Sequence, residues 1–315
     1  MSVRSLSPPL LLSWTVLSSA SIWAAPALAT GIVRDEPLTM PSYAAADSLL
    51  QREIRRDGTP ATYDRARTDR LVAWRRVTYR SDGLDVVAFV ARPAGERLPT
   101  IVFCRGSYVQ NGQAAALLER FHRLARAGFL VVAPQYRGSE GGQGTDEMGG
   151  ADVGDVLEAL RLTSALGGDS ARVFLYGESR GGMMAFQALR DGAPVRAAAT
   201  VGAFTDLDSL FANDPRSAAF APRIWPDWKS RAAAIAERRS AVRWPQDLRR
   251  PVLILHGRED SLSPRHSLAL AAALDRLGMP YELHVVDGAR HTLGERAAWR
   301  DSTVMQWFRA HSVGE

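Results

Sequence analysis

The sequence predicts an α/β architecture with a mostly parallel central sheet flanked by helices. Short apolar runs alternate with longer amphipathic stretches from residue 100 onward, the pattern of strands joined by crossover helices. These runs are almost unbroken by polar residues, as expected for strands covered on both faces. The runs at 76–80 and 84–90 flank Ser81-Asp82-Gly83, and an Asp-Gly pair between strand-like segments predicts a tight hairpin. An antiparallel pair therefore opens the domain. Strands are then expected at 100–104, 129–134, 172–176, 195–201, 251–256 and 281–286. Helices are expected at 113–127, 152–165, 180–191 and 264–277, with a closing helix at 295–310.

Two segments stand outside this alternation. Residues 30–74 read as a polar, weakly helical leader interrupted by Pro37, Pro41 and Pro60, either packed on the domain of residues 75–315 or loose beside it. Residues 206–247 contain Pro215, Pro222, Pro226 and Pro245 with Trp225, Trp228 and Trp244. An insertion of this length in a compact domain is usually functional, so it reads as a helical cap, with Trp225 and Trp228 as candidate substrate contacts. Packing of these tryptophans on the domain is the alternative.

The composition is that of a globular protein, 46% apolar and 23% charged. Residues 1–29 read as a signal peptide: Arg4 supplies a positive start, 10–25 is mostly apolar or small, and Ala27-Leu28-Ala29 is a small-x-small cleavage site. The mature protein is thus expected to be periplasmic or secreted, with no membrane association after cleavage. Cys104 is the only cysteine, so neither an intramolecular disulfide nor a cysteine-based metal site is available. The formal charge of +5 comes from arginines spread among acidic neighbours, with Lys229 the only lysine; nucleic-acid binding is not expected. The six histidines show no spacing suited to a metal. Nor does the glycine-rich stretch 138–144 match a phosphate-binding loop. No cofactor is expected.

The chemistry-bearing segment is Val173-Phe174-Leu175-Tyr176-Gly177-Glu178-Ser179-Arg180-Gly181-Gly182. An apolar strand running into Gly-x-Ser-x-Gly and then a helix reads as a nucleophile elbow, which exposes a serine hydroxyl on a sharp turn. Asp260 follows the strand at 251–256, and His291 follows the strand at 281–286. Ligand sites in open α/β sheets lie at the carboxyl ends of strands, so Ser179, Asp260 and His291 are expected to converge as nucleophile, orienting acid and base. Asp287 and Glu259 are the alternative acids, and His256 reads as a residue that packs or orients the Asp260 loop. Oxyanion donors are expected from the backbone N–H groups of Arg180 and Ser107, with the Tyr108 hydroxyl as an alternative donor and Tyr108 also a candidate substrate contact.

Taken in order, Tyr136-Arg137-Gly138-Ser139-Glu140-Gly141-Gly142, the Asp152-Val153-Gly154-Asp155 helix start, Gly-Glu-Ser-Arg-Gly-Gly, His256-Gly257-Arg258-Glu259-Asp260 and Ala289-Arg290-His291 resemble the catalytic domain of prolyl oligopeptidase-family serine peptidases. The resemblance spans about residues 75–310 and implies an α/β-hydrolase fold with Ser179, Asp260 and His291 as triad. Two features depart from the family. Residues 30–74 are too few for the amino-terminal β-propeller that many of its peptidases carry, and Cys104 stands where those peptidases tend to place an oxyanion-hole tyrosine. The expected function is an exported serine hydrolase cleaving a small-molecule ester or peptide through an acyl-enzyme. The alternatives are a carboxylesterase or dienelactone-hydrolase-like enzyme without peptidase activity, and an inactive homologue that binds a ligand or partner.

Overall fold

The computed structural model describes residues 31–107 and 113–312. The expected signal peptide and Tyr108 lie outside the described residues. Among the described residues, nine strands form one sheet: β1 (Ile32–Pro37), β2 (Val72–Ser81), β3 (Leu84–Pro93), β4 (Leu98–Cys104), β5 (Leu130–Pro134), β6 (Gly168–Glu178), β7 (Ala197–Val201), β8 (Val252–Gly257) and β9 (Tyr281–Val286). Their spatial order is β1-β2-β3-β5-β4-β6-β7-β8-β9. The first three junctions are antiparallel and the other five parallel. The β2–β3 hairpin turns at Asp82 and Gly83, both at positive φ, the conformation a two-residue turn needs to match strand twist.

Strand alternation divides the core between the two faces of the sheet. Val102 and Cys104 of β4 and Leu175 of β6 pack on one face, with Met184 and Leu189 of the helix Arg180–Arg190. Ile101, Phe103, Phe174 and Tyr176 pack on the other, with Phe121 of Leu118–Arg126 and Phe308 of Ala297–Ala310. The Phe174 and Phe308 rings stack at 4.7 Å, and Phe103 meets Tyr176 edge-on at 5.0 Å. Each fully buried aromatic contributes roughly 1.5–3 kcal/mol of transfer free energy. This layer fixes β6, the strand that runs into Ser179.

The segment before β2 departs from its sequence reading. It is not merely weakly helical, because β1 adds to the sheet edge, with Asp35 Oδ1 2.8 Å from Arg75 Nε across the pair. Pro60 does not interrupt a helix but opens one, Pro60–Thr68, at a first-turn position whose N–H needs no helical acceptor. The preceding helix, Ser48–Ile54, is capped by the Asp47 carboxylate, which accepts from Leu50 N–H at 2.8 Å. Ile54, Tyr63 and Ala66 bury a small satellite core against Ala115 and Leu118.

Residues between β7 and β8 form the helices Leu207–Asn213, Pro215–Ile224 and Trp228–Arg239. The expected helix at 113–127 is split into Gln113–Ala116 and Leu118–Arg126. Asp152 and Asp155 lie at the start of the helix Val153–Arg161, as the sequence predicts. Their carboxylates are also held in buried ion pairs, Asp155 with Arg137 at 2.7 Å and Asp152 with Arg180 at 2.7 Å.

Candidate active site

Ser179 sits between β6 and the helix Arg180–Arg190 with φ 54° and ψ −121°, a strained conformation for a residue with a side chain. Backbone bonds hold the turn: Ser179 N–H donates to Val201 O at 2.8 Å, and Ser179 O accepts from Gly182 N–H at 2.9 Å. Close approach explains the glycine two residues on. A Cβ at Gly181 would lie 1.8 Å from the Cys104 carbonyl oxygen, so only glycine lets the helix start against β4.

The carboxyl ends of β6, β8 and β9 bring the three expected residues together. Ser179 Oγ is 2.8 Å from His291 Nε2, and His291 Nδ1 is 2.8 Å from Asp260 Oδ2. Asp260 is buried and accepts from Leu262 N–H through Oδ1 at 2.8 Å. The runner-up acids do not reach the imidazole in this way; Asp287 pairs with Arg258 on the surface. Gly202, just past β7, has φ 57°, and a Cβ there would lie 2.5 Å from His291 O and 3.1 Å from Nδ1. Its lack of a side chain gives the histidine its place, a requirement that the sequence reading missed.

Protonation follows from these contacts. Burial alone would raise the Asp260 pKa, but hydrogen bonds from His256 and His291, reinforced by the His291 charge and the Leu262 N–H, bring it down to about 2. For His291 burial favours the neutral form, yet the hydrogen bond and charge of Asp260, with a smaller contribution from Glu178, outweigh it and raise the pKa. His256 is fully buried, with Nδ1 2.7 Å from Ser267 Oγ and Nε2 2.6 Å from Leu262 O and 3.1 Å from Asp260 Oδ2. It pins the loop that carries Asp260.

The loop after β4 passes beside Ser179: a Cβ at Gly106 would lie 3.2 Å from Ser179 Cβ. Ser107 lines two pockets with Ser179 and His291, of about 200 and 340 Å³. The buried Arg105 guanidinium donates to Gly106 O at 3.2 Å, Ser107 O at 3.3 Å and Gln135 O at 2.8 Å. Across the trans peptide this turns the Ser107 N–H away from Arg105. Cys104 itself is fully buried, and burial pushes its thiol up to about 12.

The side chain of Arg180 has a role that the reading of its backbone N–H overlooked. It is buried, pairs with Asp146 at 2.5 Å and Asp152 at 2.7 Å, and lies 4.6 Å from the Tyr136 ring centroid. The elbow is thereby tied to the 136–152 loops. Trp225 and Trp228 stack on each other at 5.7 Å, and Trp225 Nε1–H donates to Glu147 O at 2.8 Å. Trp225 borders an apolar pocket of about 420 Å³ among the cap helices; neither tryptophan is among the described residues lining the pockets at Ser179.

This sheet, with a serine on a strand-to-helix elbow, defines the class of α/β-hydrolases, and the comparisons with known proteins agree. The chain belongs to the prolyl oligopeptidase family, whose model matches residues 117–314, and it is a serine hydrolase, a peptidase or an esterase. The uncharacterized peptidase YtmA of Bacillus subtilis (strain 168) is 27% identical over 210 residues, covering 65% of this chain and 81% of that protein. Among solved structures, a puromycin-hydrolyzing peptidase of Mycobacterium tuberculosis is 26% identical with a TM-score of 0.67, covering 79% of this chain. The chain spans only 41% of that peptidase's length. Carboxyl esterase 2 of the fungus Tuber melanosporum shares the fold at 18% identity and a TM-score of 0.64, covering 78% of this chain and 90% of the esterase.

Proposed function

We propose that this protein is an exported serine hydrolase that cleaves a peptide or ester bond through an acyl-enzyme formed on Ser179. The carrying observation is the hydrogen-bonded chain from Ser179 Oγ through His291 to Asp260. Ser179 Oγ attacks the substrate carbonyl carbon while its proton passes to His291 Nε2. Asp260 holds the imidazole by Nδ1–H and stabilises the imidazolium. His291 then returns the proton to the leaving nitrogen or oxygen as that bond breaks. Water repeats the sequence on the acyl-enzyme, and Ser179 is regenerated. The backbone N–H groups of Arg180 and Ser107 are the candidate donors to the oxyanion. Losing one such donor typically costs about a hundredfold or more in rate.

Fluorophosphonate labelling tests the nucleophile: adduct at Ser179, and loss of both adduct and turnover in Ser179→Ala, are expected. Undiminished hydrolysis by folded Ser179→Ala protein would refute the assignment. A second reading, an esterase without peptidase activity, is supported by the burial of Cys104 where a peptidase of this family tends to have a tyrosine hydroxyl. Matched ester and amide substrates separate the two, because turnover of esters alone retires the peptidase. Export is read from residues 1–29 and is checked by the amino terminus of the mature protein.

A further inference from the structure

We propose that the cleft beside His291 is a subsite for an anionic group, a carboxylate, on the leaving-group side of the substrate. The proposal rests on the reading of Ser179 as nucleophile and His291 as proton carrier. The cleft has a volume of about 710 Å³ and is bordered by Arg52, Arg55, Arg56 and Arg290, with Glu259 and Glu295 as its acidic members. Four arginines and two acidic residues thus line it, with Glu53 beside Arg52 and Arg56 as a third nearby carboxylate. Among the described residues, its lining includes His291 but not Ser179. The leaving atom takes its proton from the histidine, so a cavity that touches the base without touching the nucleophile lies where the leaving group departs.

The guanidiniums are held in place yet remain available. Arg56 pairs with Glu53 at 2.6 Å, Arg290 with Glu295 at 2.5 Å, and Arg52 approaches Glu53 at 3.8 Å, with side-chain exposures of 57%, 76% and 65% for the three arginines. Arg55 bonds the Tyr43 hydroxyl. Ion pairs this exposed are weak, so a substrate carboxylate can displace them and take a bidentate guanidinium contact. What fixes the arginines is the backbone beneath them. Ile54 is buried, and Asp57 is clamped by Arg120 at 2.9 Å and Arg300 at 3.0 Å. The Arg56 carbonyl oxygen would lie 2.1 Å from a Cβ at Gly294, so the amino-terminal segment is seated on the loop that carries His291. It forms one wall of the cleft.

The test compares kcat/KM for 4-acetoxybenzoate, whose leaving group carries a carboxylate, with that for the neutral 4-acetoxybenzamide, each divided by its rate of hydroxide hydrolysis. A preference of about tenfold for the benzoate is expected, equivalent to about 1.4 kcal/mol, diminishing as salt screens the arginines. The ratio should fall toward unity in the Arg56→Gln, Arg290→Gln double variant; being a ratio, it is independent of the folded fraction. A third ester with the carboxylate on the acyl side, the 4-carbamoylphenyl hemisuccinate, should gain no comparable preference. Equal ratios for enzyme and double variant, or a larger gain with the hemisuccinate, would overturn the proposal. Binding of 4-hydroxybenzoate and 4-hydroxybenzamide to Ser179→Ala protein gives a readout without turnover. Tighter benzoate binding that the double variant loses supports the subsite, and equal binding refutes it. Absence of the preference in the unaltered enzyme, with Ser179 labelled by fluorophosphonate, counts against the subsite alone; unlabelled Ser179 counts against the nucleophile.

Discussion

Arg120 Nε lies 2.9 Å from Asp57 Oδ2, and Nη1 of the same guanidinium bonds the Glu178 carboxylate, so one buried arginine joins the segment before β2 to the residue preceding Ser179. Arg300 grips the same aspartate from the closing helix, with Nη1 3.0 Å from Oδ1 and Nη2 3.1 Å from Oδ2. Burial alone would raise the Asp57 pKa, but the charges of Arg120 and Arg300 dominate and hold it well below the usual carboxylate range. The segment before β2 is thereby part of the folded unit that carries the elbow.

Asp57→Asn should therefore be strongly destabilising. Breaking a buried pair leaves an uncompensated charge and costs about 3–5 kcal/mol, lowering the melting temperature by about 10 °C in a chain of this size. Urea unfolding measures the first and calorimetry the second; a change under about 0.5 kcal/mol, typical of surface substitutions, would contradict the clamp.

Arg180→Met should destabilise by a similar margin, because Asp146 and Asp152 are left buried without their shared cation. Arg180→Lys keeps the charge but cannot reproduce the fork toward two carboxylates, so an intermediate loss is expected. Denaturation midpoints of the three proteins provide the ranking.

With His291 as the proposed base, the acid limb of kcat/KM should report its titration. Catalysis needs the neutral imidazole, and the raised pKa means activity is lost below a midpoint lying above the ordinary value of about 6.5. The same shift stabilises the fold in the protonated state. That contribution is complete below the unfolded pKa and disappears as pH rises through the folded one. Asp260→Asn removes the principal cause, so the limb should move to lower pH while kcat falls by about 10⁴-fold. An unmoved limb would argue against the Asp260 contact.

Gly202→Ala tests positioning without replacing a reacting group. The new methyl would meet the His291 carbonyl oxygen at 2.5 Å and must adopt φ 57°, so the imidazole is expected to shift. A displacement near 1 Å can cost about 10²-fold in rate. The loss should appear in kcat with stability reduced by only about 1–2 kcal/mol; kinetics and urea unfolding on one preparation separate the two.

Much of the site was legible because its signals are local. A strand, two glycines and a helix around Ser179 are contiguous, and Asp260 and His291 each follow an apolar run, so their convergence follows from the rule that parallel strands present their carboxyl ends together. The parallel sheet and its hairpin were legible for the same reason, since strand periodicity and Asp82-Gly83 are properties of short windows.

Other features depend on distant pairings with no local trace. Asp57 reads as a loop residue until Arg120 and Arg300 surround it, and Arg180 as a helix-start residue until Asp146 and Asp152 are brought to it. Arginine is mostly exposed and is almost never fully buried unless paired, so burial of these side chains can be inferred only from their partners. Likewise β1 is polar enough to read as a leader, and becomes a strand because β2 offers it an edge. The positions proposed for nucleophile, base and acid were therefore legible in the sequence, since chain order and strand ends are one-dimensional information. The anchoring of Asp57, the burial of Cys104 and the arginine-lined wall beside His291 were decided by tertiary structure, because charges far apart in the chain are assigned partners only when the chain folds around them.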